Sequence, residues 1–183
     1  MANCSNHIVS EYLTAHILFR KIYSHTANTV RLWTVHEPGQ DSTITGAFMR
    51  FGTAKSGQVD NVAAGGISCG VRVDTGVLFR PCREERTRVI DLEVHPDTGI
   101  PFEIAVPHWE KVKEKVLQIC AYVPQLRYLG FDVVITDESF KILEINSHQS
   151  PTVQLHQPFL QNPTSRNFFL QALKTKGIEI DQT

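Results

Sequence analysis

The sequence predicts an α+β protein, built mainly from antiparallel strands with flanking helices. Several short segments rich in β-branched and aromatic residues are separated by turn residues such as Pro, Gly and Asp, which is typical of antiparallel strands. Two longer segments have helical features instead, one of them with apolar residues at helical spacing. The chain has 183 residues, 42% of them hydrophobic and 20% charged, which is enough for one domain with a buried core.

Four segments in the first half of the chain are predicted to be strands. Each is rich in β-branched and aromatic residues: 7–13 (HIVSEYL), 28–37 (NTVRLWTVHE), 43–52 (TITGAFMRFG) and 71–79 (VRVDTGVLF). The turn EPGQD makes the second and third of these a hairpin, and Asp74, Thr75 and Gly76 divide the fourth into a pair of strands. Residues 60–70, DNVAAGGISCG, are predicted to form a glycine-containing loop.

The second half of the chain is predicted to contain a turn at residues 94–102, a hairpin and two helices. Pro107 opens the first helix, which is predicted over residues 108–123. Four apolar side chains of this segment recur on one face, with Lys and Glu opposite: Val112, Val116, Ile119 and Val123. Residues 131–150, FDVVITDESFKILEINSHQS, are predicted to form two strands around a short polar turn. Asn162 can cap the last helix, Pro163 suits its first position, and Gly177 ends it.

Charge and cysteine content narrow the possible classes of function. Lys and Arg number 18 and Asp and Glu 19, for a formal net charge of −1, so no bulk charge attracts nucleic acid or an anionic membrane. The four cysteines include no C-x-x-C pair, which argues against a zinc site or a disulfide framework and favours a cytoplasmic location. Neither a signal peptide nor a run of the ~20 apolar residues that a membrane span needs is recognised.

The hairpin of residues 131–150 carries acidic residues where strand interiors usually carry apolar ones. If residues 137–139 form its loop, Asp132 lies directly across from Glu144, and Asn146 follows on the same face. Like charges that face each other across strands are destabilising, and a bound divalent cation reverses the sign of that interaction. Two carboxylates and an amide oxygen suit Mg²⁺. The hairpin therefore predicts a magnesium site.

The same register gives this face an apolar floor. Val134 and Ile142 fall on it and would lie under a flat ring. The alternative is a solvent-facing polar strand face with a chance acidic pair. Because a slip of one residue would separate the acids, the site depends on the pairing of Asp132 with Glu144.

Two arginines give the other hairpin a complementary charge. With EPGQD as its turn, Arg31 and Arg50 lie near each other, and paired guanidinium groups favour phosphate or carboxylate. The alternative is two unrelated arginines on exposed strands. The loop that begins DNVAAGG offers backbone N–H groups and the Asn61 side chain to an anion, although glycine pairs mostly serve turns.

The segment GFDVVITDESFKILEIN resembles the metal-binding hairpin of the ATP-grasp ligases, in which an acid on one strand is followed by E-x-N on the next. SEYL resembles the hinge strand of that fold. The order of NTVRLWTV, AFMRFG, DNVAAGG, HPDTG, GFDVVIT and LEIN is similar to the sugar-transfer-associated branch, which is linked to bacterial surface polysaccharides. The resemblance covers residues 7–157 as the C-terminal portion of an ATP-grasp domain and leaves a helix and tail at 158–183.

The resemblance implies a role for each charged candidate. It implies that Asp132 and Glu144 hold magnesium, with Glu144 bridging two ions and Asn146 holding the second. It also implies that Arg31 and Arg50 act in catalysis by contacting the γ-phosphate or an acyl-phosphate. Other branches often carry Arg two residues after the Asn, where this chain has a histidine that is either an anion contact or structural: His148.

The resemblance also implies a nucleotide site, with ATP as co-substrate. The hinge residues of SEYL would line the adenine slot. In addition, the family often places the apolar residue just before the bridging acid against adenine. That residue is Leu143, although strand alternation places it on the other face from Glu144. Together with the floor and loop residues, the predicted nucleotide contacts are Glu11, Tyr12, Leu13, Asn61, Ile142 and Leu143.

The implied activity is an ATP- and Mg²⁺-dependent ligase that joins a carboxylate to an amine through an acyl-phosphate. Its partners would be ATP and a carboxylate-bearing small molecule or sugar derivative, with no nucleic acid. The sequence contains no lysine-bearing flap of the kind that grips the α- and β-phosphates in ATP-grasp enzymes, so the N-terminal lobe is expected to be absent. Two alternatives stay open: a non-catalytic binding module, and a magnesium-dependent hydrolase that would need a water-activating base near Asp132.

Overall fold

One antiparallel sheet organises the computed structural model, which describes residues 11–86, 88–147, 156 and 161–178. The strands are β1 (Val30–Val35), β2 (Thr43–Phe51), β3 (Ile67–Val71), β4 (Leu78–Glu85), β5 (Arg88–Asp91), β6 (Tyr128–Ile135) and β7 (Phe140–Asn146). The helices are α1 (Ile17–Ile22), α2 (Trp109–Tyr122) and α3 (Pro163–Thr175), with a short 3-10 helix at Val62–Ala64. The sheet order is β5-β4-β3-β2-β1-β6-β7, and every neighbouring pair is antiparallel. The predicted α+β class is confirmed.

The main core lies on one face of the sheet, against α1 and α2. Val112 and Val116 of α2 are fully buried there, and Ile119 and Val123 pack against the same core, so the predicted apolar face of α2 is confirmed. Phe19 of α1 packs into the same cluster. Alternate strand residues face this core because side chains alternate across a pleated sheet.

A smaller apolar cluster lies on the opposite face. Trp33 and Phe48 are buried there, with Tyr128 and Phe169 packed against them. Phe169 belongs to α3, which begins where the sequence predicts: the Asn162 side chain accepts a hydrogen bond from the Ser165 amide. Among the described residues, no helix combines the length and apolar character that crossing a bilayer requires.

Two sequence predictions of local structure are wrong, and one helix, α1, was not predicted. Residues 11–13 lie outside any strand, and residues 7–10 of that predicted segment are not among those described. Residues 67–70 belong to β3 because they pair with β2 and β4, which outweighs the weak strand preference of Gly and Ser. The six-residue α1 is too short to show periodicity, and the His16 side chain caps it by accepting from the Leu18 amide.

The β6–β7 hairpin has the predicted pairing at its acids and a different one at its turn. Asp132 pairs with Glu144 as predicted, but Ile135 rather than Thr136 pairs with Phe140. The register shifts just after Asp132, so that Leu143 is an additional residue in β7. Such a β-bulge reverses which face the following residues occupy.

Candidate functional site

A row of charged side chains crosses the sheet face opposite the main core. Arg31 on β1 pairs with Asp132 on β6, and Asp132 pairs in turn with Glu144 on β7. Directly paired residues point to the same face, so these three charges lie side by side on neighbouring strands. Asn146 pairs with Gly130, two residues further along, and points to the same face. The predicted pairing of Asp132 with Glu144 is confirmed, and a common site formed by the two acids and the amide stays a prediction.

Both predicted arginines hold Asp132, whose side chain is only 8% exposed. Arg31 donates from Nε to Oδ1 and from Nη2 to Oδ2, the latter at 2.6 Å. Arg50 on β2 reaches Oδ1 from its Nη2 at 3.2 Å. The prediction that Arg31 and Arg50 lie near each other is therefore confirmed. The acid between them allows two like charges to share a largely buried position.

The surroundings of Arg31 favour its charged form. Burial alone would lower the pKa of the guanidinium, but the hydrogen bonds and charge of Asp132 outweigh it. With further contributions from Glu144 and Asp60, the pKa of Arg31 is raised above its ordinary value. Two arginines here face three carboxylates, which leaves the cluster with a net negative charge that a cation can offset.

Asp60 joins this cluster through Thr29, and neither residue was predicted from the sequence. The Thr29 amide and hydroxyl both donate to Oδ2 of Asp60, at 2.6 and 2.7 Å. Arg50 donates from Nε to the Thr29 hydroxyl at 2.8 Å. Asn61, the predicted anion contact, instead caps the 3-10 helix by accepting from the Ala63 amide at 3.1 Å. No signal in a single sequence connects Asp60 with a partner 31 positions away.

A cavity of about 560 Å³ lies beside the charged row, on the side of the predicted hinge. Its lining combines the hinge, the loop before β1 and the hairpin: Glu11, Tyr12, Leu13, Ser24, His25, Thr26, Ala27, Gln58, Val134 and Leu143. Four of the predicted nucleotide contacts therefore share one cavity. Its mixed apolar and polar walls suit a ligand with a flat ring and a polar attachment. Binding of a nucleotide to it stays a prediction.

The bulge in β7 reverses the faces on which regular strand alternation would place Leu143 and Ile142. Leu143 is 51% exposed and lines the cavity, although strand alternation alone places it on the opposite face. Ile142 pairs with Val133, packs against the main core and borders a separate groove beside α2. The prediction that Ile142 shares the face of Asp132 is wrong, because the additional residue in β7 shifts the alternation by one.

The donor set of the row fits a hard divalent cation. Asp132 and Glu144 are directly opposed and Asn146 follows on the same face, which supplies three oxygen donors of the kind that Mg²⁺ prefers. Among the described residues, no group of three or more His, Cys, Asp and Glu side chains is placed to hold a metal. His148 lies outside the described residues.

A buried histidine extends the row on the side away from the hairpin. Ser68 on β3 pairs with Arg50, and its hydroxyl lies 2.7 Å from Nε2 of His156. Burial and the nearby Arg80 lower the pKa of His156 to about 4, with Asp91 acting in the opposite direction. The imidazole is therefore neutral near pH 7, and sequence analysis did not identify it.

Comparison with known proteins gives one match. The family model described as sugar-transfer associated ATP-grasp matches residues 2–164, which is most of the chain. Neither the curated proteins nor the solved structures provide a significant match. The match contains every residue of the charged row and of the cavity lining.

Proposed function

The chain belongs to the sugar-transfer associated ATP-grasp family, and from this membership we propose that it serves an ATP- and Mg²⁺-dependent carboxylate–amine ligase. Membership indicates ATP binding and ligase-type chemistry related to sugars. The proposed substrates are a carboxylate-bearing small molecule or sugar derivative and an amine. The proposed setting is the biosynthesis of bacterial surface polysaccharides.

One observation carries the proposal: the charged row and the mixed cavity adjoin through the same hairpin. Leu143 lines the cavity, and the next residue, Glu144, pairs with Asp132. A nucleotide whose base lies against Leu143 would direct its phosphates toward Arg31 and Arg50. Arginine is suited to that contact because its planar fork matches phosphate oxygens.

In the proposed mechanism, a substrate carboxylate attacks the γ-phosphorus of ATP. A new O–P bond forms while the bond to the oxygen of ADP breaks, and Arg31 and Arg50 stabilise the transferring group. The amine then attacks the carbonyl carbon of the acyl-phosphate, a C–N bond forms, and the C–O bond to phosphate breaks. Phosphate leaves with the proton that the amine nitrogen loses. No nucleophilic side chain is required, because the chemistry depends on positioning and electrostatics.

Asp132, Glu144 and Asn146 are the residues that would hold magnesium in this reaction. When bound, Mg²⁺ ions supply charge neutralisation for the phosphate oxygens. To bind the ion, Asp132 would give up at least part of its hydrogen bonding with Arg31 and its ion pair with Arg50. The same arginines are the proposed phosphate ligands, so one exchange of partners serves both purposes.

The test is calorimetric titration of the chain with Mg²⁺-ATP. Binding is expected in the micromolar to millimolar range that is usual for KM values. Glu144→Gln should weaken it by about tenfold or more, because a neutral amide replaces a charged metal ligand. Glu138→Gln, an exposed change in the turn of the same hairpin, is the matched control. A wild-type chain that does not bind Mg²⁺-ATP would refute the proposal.

The arginine contacts of Asp132 favour a second candidate function. An acid that is already neutralised by two arginines forms a stable structural ion pair without any ligand. The chain would then be a non-catalytic module that binds a partner. Phosphate release from ATP in the presence of carboxylates and amines separates the two functions, since a module of this kind releases none.

A further inference from the structure

We propose that Thr29 and Asp60 form a positioning relay for Arg50, and that this relay sets how strongly the site distinguishes ATP from ADP. The inference rests on the proposed function, because it assigns the γ-phosphate to Arg50. It adds two residues to the site, neither of which contacts the reacting atoms. Both are positioning residues that act through the guanidinium.

The Thr29 hydroxyl is fully used in this arrangement. A hydroxyl has one hydrogen to donate and two lone pairs to accept with. Thr29 donates its hydrogen to Oδ2 of Asp60 at 2.7 Å and accepts from both Nε and Nη2 of Arg50. The hydroxyl thereby fixes the plane of the guanidinium, since two of the five N–H donors of Arg50 meet at one oxygen.

Asp60 anchors the relay at its other end. Its Oδ2 also accepts from the Thr29 amide at 2.6 Å, and its Oδ1 lies 3.7 Å from Nε of Arg50. The side chains of Arg50 and Asp60 are only 16% and 13% exposed, so solvent screens this contact weakly. Asp60 thus holds both the Thr29 hydroxyl and the charge of Arg50 from the same side.

The loop that begins DNVAAGG provides the rigidity that this anchor needs. The Gly66 amide donates to the Asn61 carbonyl at 3.0 Å, which closes the loop around the 3-10 helix. A Cβ at Gly66 would lie 2.6 Å from the Asp60 carbonyl oxygen, so only glycine permits this closure. Gly66 therefore permits the loop closure next to Asp60, whose carboxylate contacts Thr29 and Arg50.

The relay keeps the guanidinium of Arg50 from turning fully toward Asp132. Arg50 contacts Thr29 on one side and Oδ1 of Asp132 on the other, at 3.2 Å. Without Thr29 and Asp60, the guanidinium would turn fully toward Asp132, where it would offer fewer donors to a phosphate. ATP should lose affinity more than ADP, because only ATP places a γ-phosphate at this position.

The test measures the ratio of the ADP and ATP dissociation constants in Mg²⁺ by calorimetry. Thr29→Val removes the hydroxyl with little change of shape, and Thr29→Ser keeps it. Asp60→Asn removes the charge of the anchor. Thr29→Val and Asp60→Asn should each lower the ratio by about tenfold, which corresponds to one charge-assisted hydrogen bond. Thr29→Ser and the control Asp91→Asn, an exposed acid paired with Arg80, should keep the wild-type ratio.

The result that overturns the relay is a wild-type ratio in both Thr29→Val and Asp60→Asn. If Asp60→Asn fails to fold, the Thr29→Val and Thr29→Ser pair decides. A wild-type chain that binds neither nucleotide refutes the proposed function instead. The relay is then tested without ligand, by the NMR signal of the Arg50 Nε–H. A signal that shifts in Thr29→Val but not in Thr29→Ser supports the relay. A signal that shifts in neither variant overturns the relay.

Discussion

At the scale of single residues, Asp132 occupies the most constrained position in the site. Both carboxylate oxygens of Asp132 accept a hydrogen bond from Arg31, and Oδ1 also forms an ion pair with Arg50 at 3.2 Å. A metal ion held by Asp132, as proposed, would therefore compete with the arginines for the same oxygens. Phosphate groups bound by the arginines would relieve this competition, because they would attract the guanidinium groups away from Asp132.

We predict that Arg50→Met strengthens metal binding in the absence of nucleotide. The change removes a positive charge that lies 3.2 Å from Oδ1 of Asp132 and repels the ion. Mn²⁺ affinity, measured from the free-ion signal by electron paramagnetic resonance, should rise by about tenfold. The control is Arg20→Met, which removes an exposed arginine paired with Asp137. An unchanged or weaker Mn²⁺ affinity in Arg50→Met would contradict the competition.

We also predict an acid-sensitive contribution of His156 to stability. The pKa of the native imidazole is about 4, below the ordinary value of 6.5, so the unfolded chain binds more protons between these pH values. Stability should fall by about 3 kcal/mol as the pH falls from 6.5 to 4 and be unaffected by this group above that range. Urea unfolding at several pH values measures this loss, and His156→Gln should reduce it. An equal loss in the variant would refute the prediction.

At the scale of elements, the bulge in β7 decides what the hairpin presents. It keeps Asp132 opposite Glu144 and turns Leu143 toward the cavity while Ile142 enters the core. The turn of the β6–β7 hairpin is bonded to α1, the helix that follows residues 11–13. Asp137 accepts from the Ile17 amide at 2.6 Å and pairs with Arg20 at 2.9 Å, which connects the two walls of the cavity.

A pair of neighbouring substitutions tests the bulge. Leu143→Ala should weaken ATP binding by several-fold and leave the free energy of unfolding nearly unchanged, because Leu143 is 51% exposed. Ile142→Ala should do the reverse and cost about 2 kcal/mol, since its side chain packs against the main core. Calorimetry and urea unfolding measure the two quantities. The opposite assignment of effects would show that β7 has the regular alternation.

At the scale of the whole molecule, one sheet separates the main core from the charged row. Its first face is buried under α1 and α2, and its other face carries the charged row beside the cluster of Trp33 and Phe48. Neighbouring residues on one strand lie on the two faces. Phe131 is completely buried in the main core, and the next residue, Asp132, belongs to the charged row.

We predict that Phe131→Ala destabilises the entire domain. Removal of a completely buried aromatic side chain leaves a cavity in the main core, at a cost of about 3–5 kcal/mol. The midpoint of urea unfolding should shift in a single transition, because β6 pairs with both β1 and β7. A loss limited to the hairpin, detected by hydrogen exchange, would contradict this expectation.

Much of the site was predictable because it depends on local periodicity. Hairpins with short turns bring known positions together, so the sequence predicted the opposition of Asp132 and Glu144 and the approach of Arg31 to Arg50. The family was also predictable from the order of its motifs, and the match over residues 2–164 confirms it. The binding roles of these residues stay predictions.

By itself, therefore, the sequence determined the class of the fold from the composition of its segments and the family from the order of its motifs. It also determined the placement of charges on one hairpin face, which follows from alternation along a strand. The tertiary structure alone decided that Leu143 rather than Ile142 lines the cavity, and that Asp60 reaches Arg50 through Thr29. The first depends on a bulge, which depends on how β7 fits its neighbours. The second joins positions far apart in the chain, and only the packed sheet brings their side chains into contact.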